Sequence, residues 1–316
     1  MIRKRLQLTI ITLLLILTGG FSGTATAAGA STLVTTKWLA GHLGDKNLVL
    51  IDVRTANNYG VGHLPGAVSM PYGKIEPMTK DDSCRLMPSP AALTATLRGM
   101  GVNASSHVVV YDQGNTASDA TKGATACWIL ESMGMNNVSY LNGGFTKWTF
   151  EGRIIDNKKP APKAGNFTAK LDPAKVATLK EVRAAARTQK VILVDARSAD
   201  QHFGATKSFE VERFGHIRGS LDMPAPYLTN AGINRAPATL KSKKVLAAIA
   251  KGIGLTKNKN AKIIVYCNSG QFAGLDYLVL HHILGYRNVS VFDGSMMEYA
   301  SHEKLPLVRF AWGHVK

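Results

Sequence analysis

Acidic side chains are scarce in this chain. Its 21 Asp and Glu face 38 Lys and Arg, a formal net charge of +17. A surface of that sign draws small anions toward any opening in it. It lacks the marks of a nucleic-acid binder. After the first five residues no Lys/Arg block is longer than a pair such as Lys243-Lys244, and no aromatic residues interleave with one. The charge therefore reads as a solvated basic surface with no nucleic-acid partner. Cysteine is scarcer still: Cys84, Cys127 and Cys267 are the only three, and an odd number leaves at least one thiol free. There is no C-x-x-C, no H-x-H and no glycine-rich phosphate motif, so neither a metal nor another cofactor is expected.

Long apolar runs are missing as well, apart from Leu6 to Leu17 near the start. That run is shorter than the ~20 residues a membrane helix needs. Arg3, Lys4 and Arg5 precede it and Ala25-Thr26-Ala27 follows it as an A-x-A site. Residues 1–27 thus read as a secretory signal peptide. Its removal takes three cations and no anion, lowering the charge from +17 to +14. The expectation is a periplasmic protein with no stable membrane span in its mature form and no assignable protein partner.

What is present is a cysteine in an informative place. The run Ile263-Ile264-Val265-Tyr266 is β-branched and aromatic, as a buried strand requires, and Cys267 ends it. A loop, Asn268-Ser269-Gly270-Gln271-Phe272, follows. Gly274 to Leu284 then reads as a helix with Leu275, Leu278, Val279 and Ile283 on its apolar face. A thiol at such a junction faces loop N–H groups and the positive end of a helix. Both favour the thiolate, and sites of this kind lower a free Cys from about 8.5 to ~3.5–7.5. Cys127, among apolar neighbours in a predicted helix, reads as a core residue. Cys84, in the Pro-containing connection Met78 to Pro90, reads as an exposed position, and a Cys84–Cys127 disulfide stays open.

The chain also repeats itself. Val49-Leu50-Ile51-Asp52-Val53-Arg54 returns as Ile192-Leu193-Val194-Asp195-Ala196-Arg197. Gly62-His63-Leu64-Pro65-Gly66 returns as Gly215-His216-Ile217-Arg218-Gly219. Val108 to Asp112 returns as Ile263 to Cys267, and Asn137 to Gly144 as Asn288 to Ser295. The second copy holds ten extra residues between Arg197 and Gly215, expected as a surface excursion. The first holds four extra after Asp112, which stands where Cys267 stands in the second. A carboxylate cannot carry sulfur, so the first copy is expected to be non-catalytic. Short strands alternating with helical stretches (Thr36–Leu43, Pro90–Met100, Gly123–Met133) predict an α/β fold with a parallel sheet in each copy, flanked by helices. The organisation expected is a loose segment over 28–35, a first domain over 36–155, a polar linker over 156–172 rich in Pro, Gly and Lys, and a second, catalytic domain over 173–310.

These blocks, in this order and twice over, resemble the tandem-domain rhodaneses, the thiosulfate and 3-mercaptopyruvate sulfurtransferases. The resemblance implies an inactive first domain and a persulfide carried on Cys267. It also implies a cradle for the outer sulfur made by the N–H groups of Asn268, Ser269, Gly270, Gln271 and Phe272. By the same match Arg197 is the substrate-binding arginine, placed to pair with a sulfonate or carboxylate. The donor is then a small anion and the acceptor cyanide or a thiol. The loop carries no cation, unlike thiosulfate-preferring relatives. Ser269 and Gly270 fit the mercaptopyruvate pattern, while Gln271 and Phe272 fit neither. The expectation is thiosulfate as donor, because the compartment receives it, the chain is basic and Gln271 can donate to an oxyanion. The alternatives are 3-mercaptopyruvate and a persulfide carrier without turnover. A phosphatase would need Arg where Ala273 stands. His63 and His216, shared by both copies, read as structural.

Overall fold

A computed structural model describes residues 31–81, 83–231 and 236–312. The segment expected to be a signal peptide lies outside them. The first copy builds a sheet from β1 (Leu33–Val34), β2 (Leu48–Asp52), β3 (Val68–Ser69), β4 (His107–Tyr111) and β5 (Val138–Leu141), in the order β1-β5-β4-β2-β3. The second repeats it with β6 (Val176–Ala177), β7 (Ile192–Asp195), β9 (Ser220–Asp222), β10 (Lys262–Tyr266) and β11 (Asn288–Phe292), in the order β6-β11-β10-β7-β9. Every pairing within these two sheets is parallel. A separate antiparallel pair joins β8 (His216–Ile217) to β12 (Leu307–Val308). Central strands such as β4 and β10 are buried Val and Ile runs because helices cover both faces.

The helices of the first copy are α1 (Thr36–His42), α2 (Ala56–Val61), α3 (Tyr72–Ile75), α4 (Pro90–Gly99), α5 (Ala117–Ser132) and α6 (Gly144–Phe150). Those of the second are α7 (Leu179–Thr188), α8 (Ala199–Phe203), α9 (Lys243–Gly252), α10 (Gln271–Tyr277) and α11 (Ser295–Ser301). Where the sequence predicts a helix from Gly123, α5 begins six residues earlier. Thr116 accepts from the Asp119 N–H while Asp119 accepts from the Thr116 N–H, and this capping box fixes the start. The helix after Cys267 continues beyond α10 as a wider π-turn over Leu278–Ile283. No helix among the described residues is long and apolar enough to cross a membrane.

Four readings need correction. Residues 28–35 are not wholly loose, because β1 pairs with Tyr140 and Leu141 at the sheet edge. Cys84 is buried rather than exposed, its Sγ packed 3.7 Å from the Gly294 carbonyl oxygen. All three cysteines are free, so the Cys84–Cys127 disulfide does not form. The excursion after Arg197 is only partly superficial. It contains α8, whose His202 is fully buried, whereas Phe209 is exposed.

One apolar cluster spans the two copies, beside smaller ones in each. Trp128, Ile129 and Leu130 on α5 belong to the same buried cluster as Leu275, Leu278 and Val279 after the Cys267 loop. Each such side chain contributes about 1.5–3 kcal/mol by leaving water. Contact between α5 and α10 is close because Gly274 has no side chain. A Cβ there would lie 2.1 Å from Thr125 Oγ1.

Candidate active site

Cys267 leaves the end of β10 and turns at once into a loop whose backbone is fixed from behind. Its own N–H donates to Ser295 Oγ at 3.0 Å, and Ser295 Oγ donates onward to the Phe292 carbonyl at 2.8 Å. The N–H groups of Met296 and Met297 hold the carbonyls of Cys267 and Asn268 at 3.0 and 2.9 Å. With its carbonyls held, the loop is free to aim N–H groups inward. Gly270 donates to Cys267 Sγ at 3.1 Å and Phe272 does so at 3.3 Å. Gly270 sits at φ +98, a conformation that suits glycine.

The environment of the thiol differs from the expectation in one respect. Cys267 is 2 % exposed. Burial pushes its thiol up to about 11, against the loop N–H groups of Ala273, Ser269 and Phe272, which pull the other way, while a charge on Glu76 adds to the rise. The expected lowering does not hold here: desolvation outweighs the amide donors. The donors remain in place to receive negative charge once it forms.

The loop opens on a cleft of about 440 Å³ between the two copies. Ser269 and Gln271 line one side. Arg54, Tyr72, Arg85, Asp112, Asp119 and Lys122 from the first copy line the other, and Glu210 from the second also reaches it. Asp112 and Cys267 occupy corresponding loops; Asp112 lines the cleft, whereas of the Cys267 loop Ser269 and Gln271 do. Burial pushes the Asp112 carboxyl well above the usual range, and neither of its oxygens has a hydrogen-bond partner.

Of the five loop residues expected to cradle the sulfur (Asn268, Ser269, Gly270, Gln271 and Phe272), Gly270 and Phe272 direct their N–H groups to Cys267 Sγ. Two side chains behave differently from expectation. The Gln271 amide does not face the cleft as a free donor, because it already donates to Thr121 Oγ1 at 2.9 Å and to the Ser118 carbonyl at 3.3 Å. Arg197 does not reach the cleft surface. Its side chain is fully buried, with Nη2 2.7 Å from Asp195 Oδ2 and 2.8 Å from the Gly215 carbonyl, and only Nη1 lacks a partner. The physical reason is Asp195, a buried carboxylate that needs a cation beside it. Burial alone would raise that carboxyl, but Arg197 and His202 prevail and hold it well below the ordinary range.

Arg54 repeats this pattern with Asp52 at 2.7 Å, yet it also lines the cleft. Arg54, Tyr72, Arg85 and Lys122 are the residues that sequence reasoning passed over, since it treated the first copy as a bystander. The signal was available in the repeat, because two copies packed face to face bring their corresponding loops to one opening. His63 and His216 do take structural places, stacked on Tyr59 and His202 respectively.

A family model described as Rhodanese-like domain matches residues 35–151 and 178–302. The chain is 31% identical over 288 residues to the 3-mercaptopyruvate sulfurtransferase of Escherichia coli strain K12, covering 85% of this chain and 95% of that one. It is 32% identical over 316 residues to the putative thiosulfate sulfurtransferase of Synechococcus elongatus, covering 95% and 93%. The crystal structure of SseA from Escherichia coli, described with the rhodanese fold and the mechanism of 3-mercaptopyruvate sulfotransferases, superposes with a TM-score of 0.73. It is 28% identical over 84% of this chain and 98% of that one.

Proposed function

The chain belongs to the rhodanese family, and from that premise we propose that it moves sulfane sulfur from thiosulfate to cyanide or a thiol through a persulfide on Cys267. Its relatives on either side of the donor question are sulfurtransferases, and so is this chain. The observation that carries the assignment to Cys267 is the pair of loop N–H groups converging on its Sγ. Thiolate sulfur attacks the outer sulfur of thiosulfate, the S–S bond of the donor breaks, and sulfite leaves with the bonding pair. The loop N–H groups then stabilise the anionic persulfide.

Thiosulfate, a dianion, is favoured by the basic balance of the chain and by Lys122, the one cleft cation without an ion-pair partner among the described residues; Arg54 is paired with Asp52 and Arg85 with Glu210, and Asp119 also lines the cleft. One observation favours 3-mercaptopyruvate instead: the Gln271 amide is committed to Thr121 and Ser118, leaving the loop its backbone and the Ser269 hydroxyl. Comparing kcat/KM for the two donors decides between them. Cys267→Ser should abolish thiocyanate production from either donor, and retention of turnover would refute the persulfide route. A one-sulfur mass increase on Cys267 without turnover toward cyanide or thiols would mark a carrier instead. Export to the periplasm is part of the same reading, supported by the charged, apolar and A-x-A pattern of residues 1–27. A mature N-terminus at Ala28 in a periplasmic fraction would test it.

A further inference from the structure

A groove of about 300 Å³ lies on the second copy and shares no lining residue with the Cys267 cleft. Four cations line it: Arg183 and Arg187 on α7, Arg218 in the turn between β8 and β9, and Lys304 after α11. No acidic residue lines it, and none of the four forms an ion pair among the described residues. The Cys267 cleft, by contrast, mixes Asp112, Asp119 and Glu210 with its cations. Arg183 and Arg187 stand one turn apart, where like charges repel, and no residue three or four positions from either is acidic. Arg187 sits in the last turn of α7, where the helix carbonyls favour a cation. Arg183 and Arg218 have no such support.

The internal repeat shows that these cations are not part of the shared fold. Thr35 and Thr178 cap α1 and α7, and each precedes its D-x-R aspartate by the same number of positions. Counted from there, Ala40 and Gly44 stand where Arg183 and Arg187 do. In the repeated Gly-His block, Pro65 stands where Arg218 does. Lys304 corresponds to Arg153, which Glu151 neutralises at 2.7 Å. The first copy therefore has one paired cation at this place, and the second has four unpaired ones. The groove is also held in shape by the chain itself. Arg213 donates to the carbonyls of Ala300, His302 and Leu305 at 2.7, 2.8 and 2.9 Å, which sets the loop that carries Lys304. Tyr299 Oη donates to the Pro306 carbonyl at 3.2 Å, closing an apolar floor made by Tyr299, Leu305 and Pro306.

We propose that this groove is a second anion site, built for a small molecule that carries clustered phosphate groups. Three of its four cations are arginines, whose forked guanidinium donates two parallel hydrogen bonds to a phosphate. A phosphate carries about −1.5 to −2 charges at pH 7, more than a carboxylate, so linked phosphates are the compact way to match four cations. Residues one helical turn apart have Cβ atoms about 5–6 Å apart, which suits neighbouring phosphates of one molecule better than a single oxyanion. The volume is at the small end of ligand pockets, so a compact ligand fits and a folded partner does not. The apolar floor leaves room for an uncharged part of the ligand. The phosphates belong to a free polyphosphate or to the headgroups of anionic phospholipids, and the two sources are separable by experiment. The inference stands apart from sulfur transfer, since no residue of the groove lines the Cys267 cleft.

The test is isothermal titration calorimetry of the full chain with inorganic tripolyphosphate at low ionic strength, where exposed charges are least screened. Wild type should bind one equivalent saturably. Arg183→Gln/Arg187→Gln should weaken binding more than about tenfold, since a charge-assisted contact is worth at least that factor. Lys243→Gln/Lys244→Gln removes the same charge from α9, outside the groove, and should change the affinity less than about threefold. Equal weakening by the two double variants would overturn the proposal, because it marks general attraction to a basic chain. So would the absence of saturable binding by wild type. Loss of binding in Lys122→Gln would place the anion in the Cys267 cleft and overturn it equally. The replaced α7 side chains are exposed. Should that variant still fail to fold by circular dichroism, Arg218→Gln gives the same reading with the helix untouched. Sedimentation with phosphatidylglycerol vesicles identifies the source. Retention that tripolyphosphate displaces and the α7 variant loses assigns the groove to lipid headgroups. Tripolyphosphate binding without retention assigns it to a free polyphosphate. None of these measurements needs a sulfur donor.

Discussion

Replacing Gly274 with alanine tests how the two copies are joined. The added Cβ would meet Thr125 Oγ1 at 2.1 Å and Thr125 Cα at 2.5 Å. A side chain can rotate away; a Cα cannot. Ordinary carbon contact lies at ~3.5–4.0 Å, so α5 and α10 must part by roughly 1 Å. Overpacking of this kind costs about 1–3 kcal/mol. Alanine regains up to ~1 kcal/mol of helix propensity over glycine, leaving a net loss of roughly 1–2 kcal/mol. At about 2–4 °C per kcal/mol for a chain of this class, Tm should fall by ~2–8 °C. The same displacement carries the start of α10, and with it the Phe272 N–H, away from Cys267 Sγ. A hydrogen bond to a charged sulfur is worth about 1.5–3 kcal/mol, so sulfite release in a single turnover should slow by roughly 10–100-fold. Thermal unfolding followed by circular dichroism and rapid-quench sulfite assays read the two effects. Adding Thr125→Gly removes the Oγ1 clash but leaves the Cα, so the double variant should recover only part of the loss, with a coupling of ~0.5–3 kcal/mol. A Gly274→Ala protein that melts at or above the wild-type temperature would refute the argument that backbone approach at this position sets the fit between the copies.

Four further outcomes follow from the structure. Gly270→Ala places a Cβ 2.8 Å from Glu76 Oε1 and 3.0 Å from the Asp293 carbonyl, and should lower the yield of Cys267 persulfide more than tenfold. Gly254→Ala, at φ +82 but with nothing within 4 Å, should cost only about 1–2 kcal/mol of stability in urea titrations and leave that yield intact. Gln271→Ala removes an amide already engaged with Thr121 and Ser118. It should cost about 0.5–1.5 kcal/mol of stability while KM for thiosulfate stays within twofold to threefold, and a tenfold rise in KM would show the amide meeting the donor after all. Asp195 is ionised more easily in the folded chain than in the unfolded one. Its contribution is therefore complete above the unfolded value of ~3.9 and is lost as pH falls below that toward the lower folded value. Asp195→Asn should be less stable at pH 6 and show a flatter loss of stability below pH 4 in urea midpoints; an unchanged acid profile would contradict the buried pair with Arg197.

Much of this was readable in the sequence because it depends on local pattern. The β-branched runs before Asp112 and Cys267 have little choice but to form buried central strands, and repetition of four blocks makes two sheets of the same order. The loop N–H groups aimed at Cys267 follow from its place at a strand–loop–helix junction. What depends on distant packing was hidden. Gln271 turned out to be an interdomain clamp because Ser118 and Thr121 lie 153 and 150 positions away. Cys84 is buried because Gly294, 210 positions on, closes over it. The thiol is raised, not lowered, since desolvation is a property of the whole interior and leaves no mark on the six residues around Cys267. Arg197 was drawn to Asp195, two positions back, and that spacing was in plain view. Its counterpart Arg54 with Asp52, in a copy without a thiol, already indicated that the D-x-R motif builds strand ends in both copies.

The first copy has lost the thiol but has not become dispensable. Thr121 and Ser118 on α5 hold Gln271, Thr125 accepts the close approach of Gly274, Met87 steadies Asp293, and Tyr72 and Glu76 reach behind Gly270. Each of these contacts falls on the Cys267 loop or on a residue that touches it. A loop five residues long, with one glycine at positive φ, gains little order from its own side chains, so its shape must be imposed by what packs around it. The second copy supplies part of that packing through Ser295, which accepts from the Cys267 N–H, and Met296, whose N–H donates to the Cys267 carbonyl. The first supplies the rest. Asp112 suits this division: burial pushes its carboxyl well above the usual carboxylate range, which disfavours an added anion in a cleft that must admit one. A carboxyl at the position of the lost thiol is therefore compatible with catalysis next door in a way that a buried, permanently ionised side chain would not be.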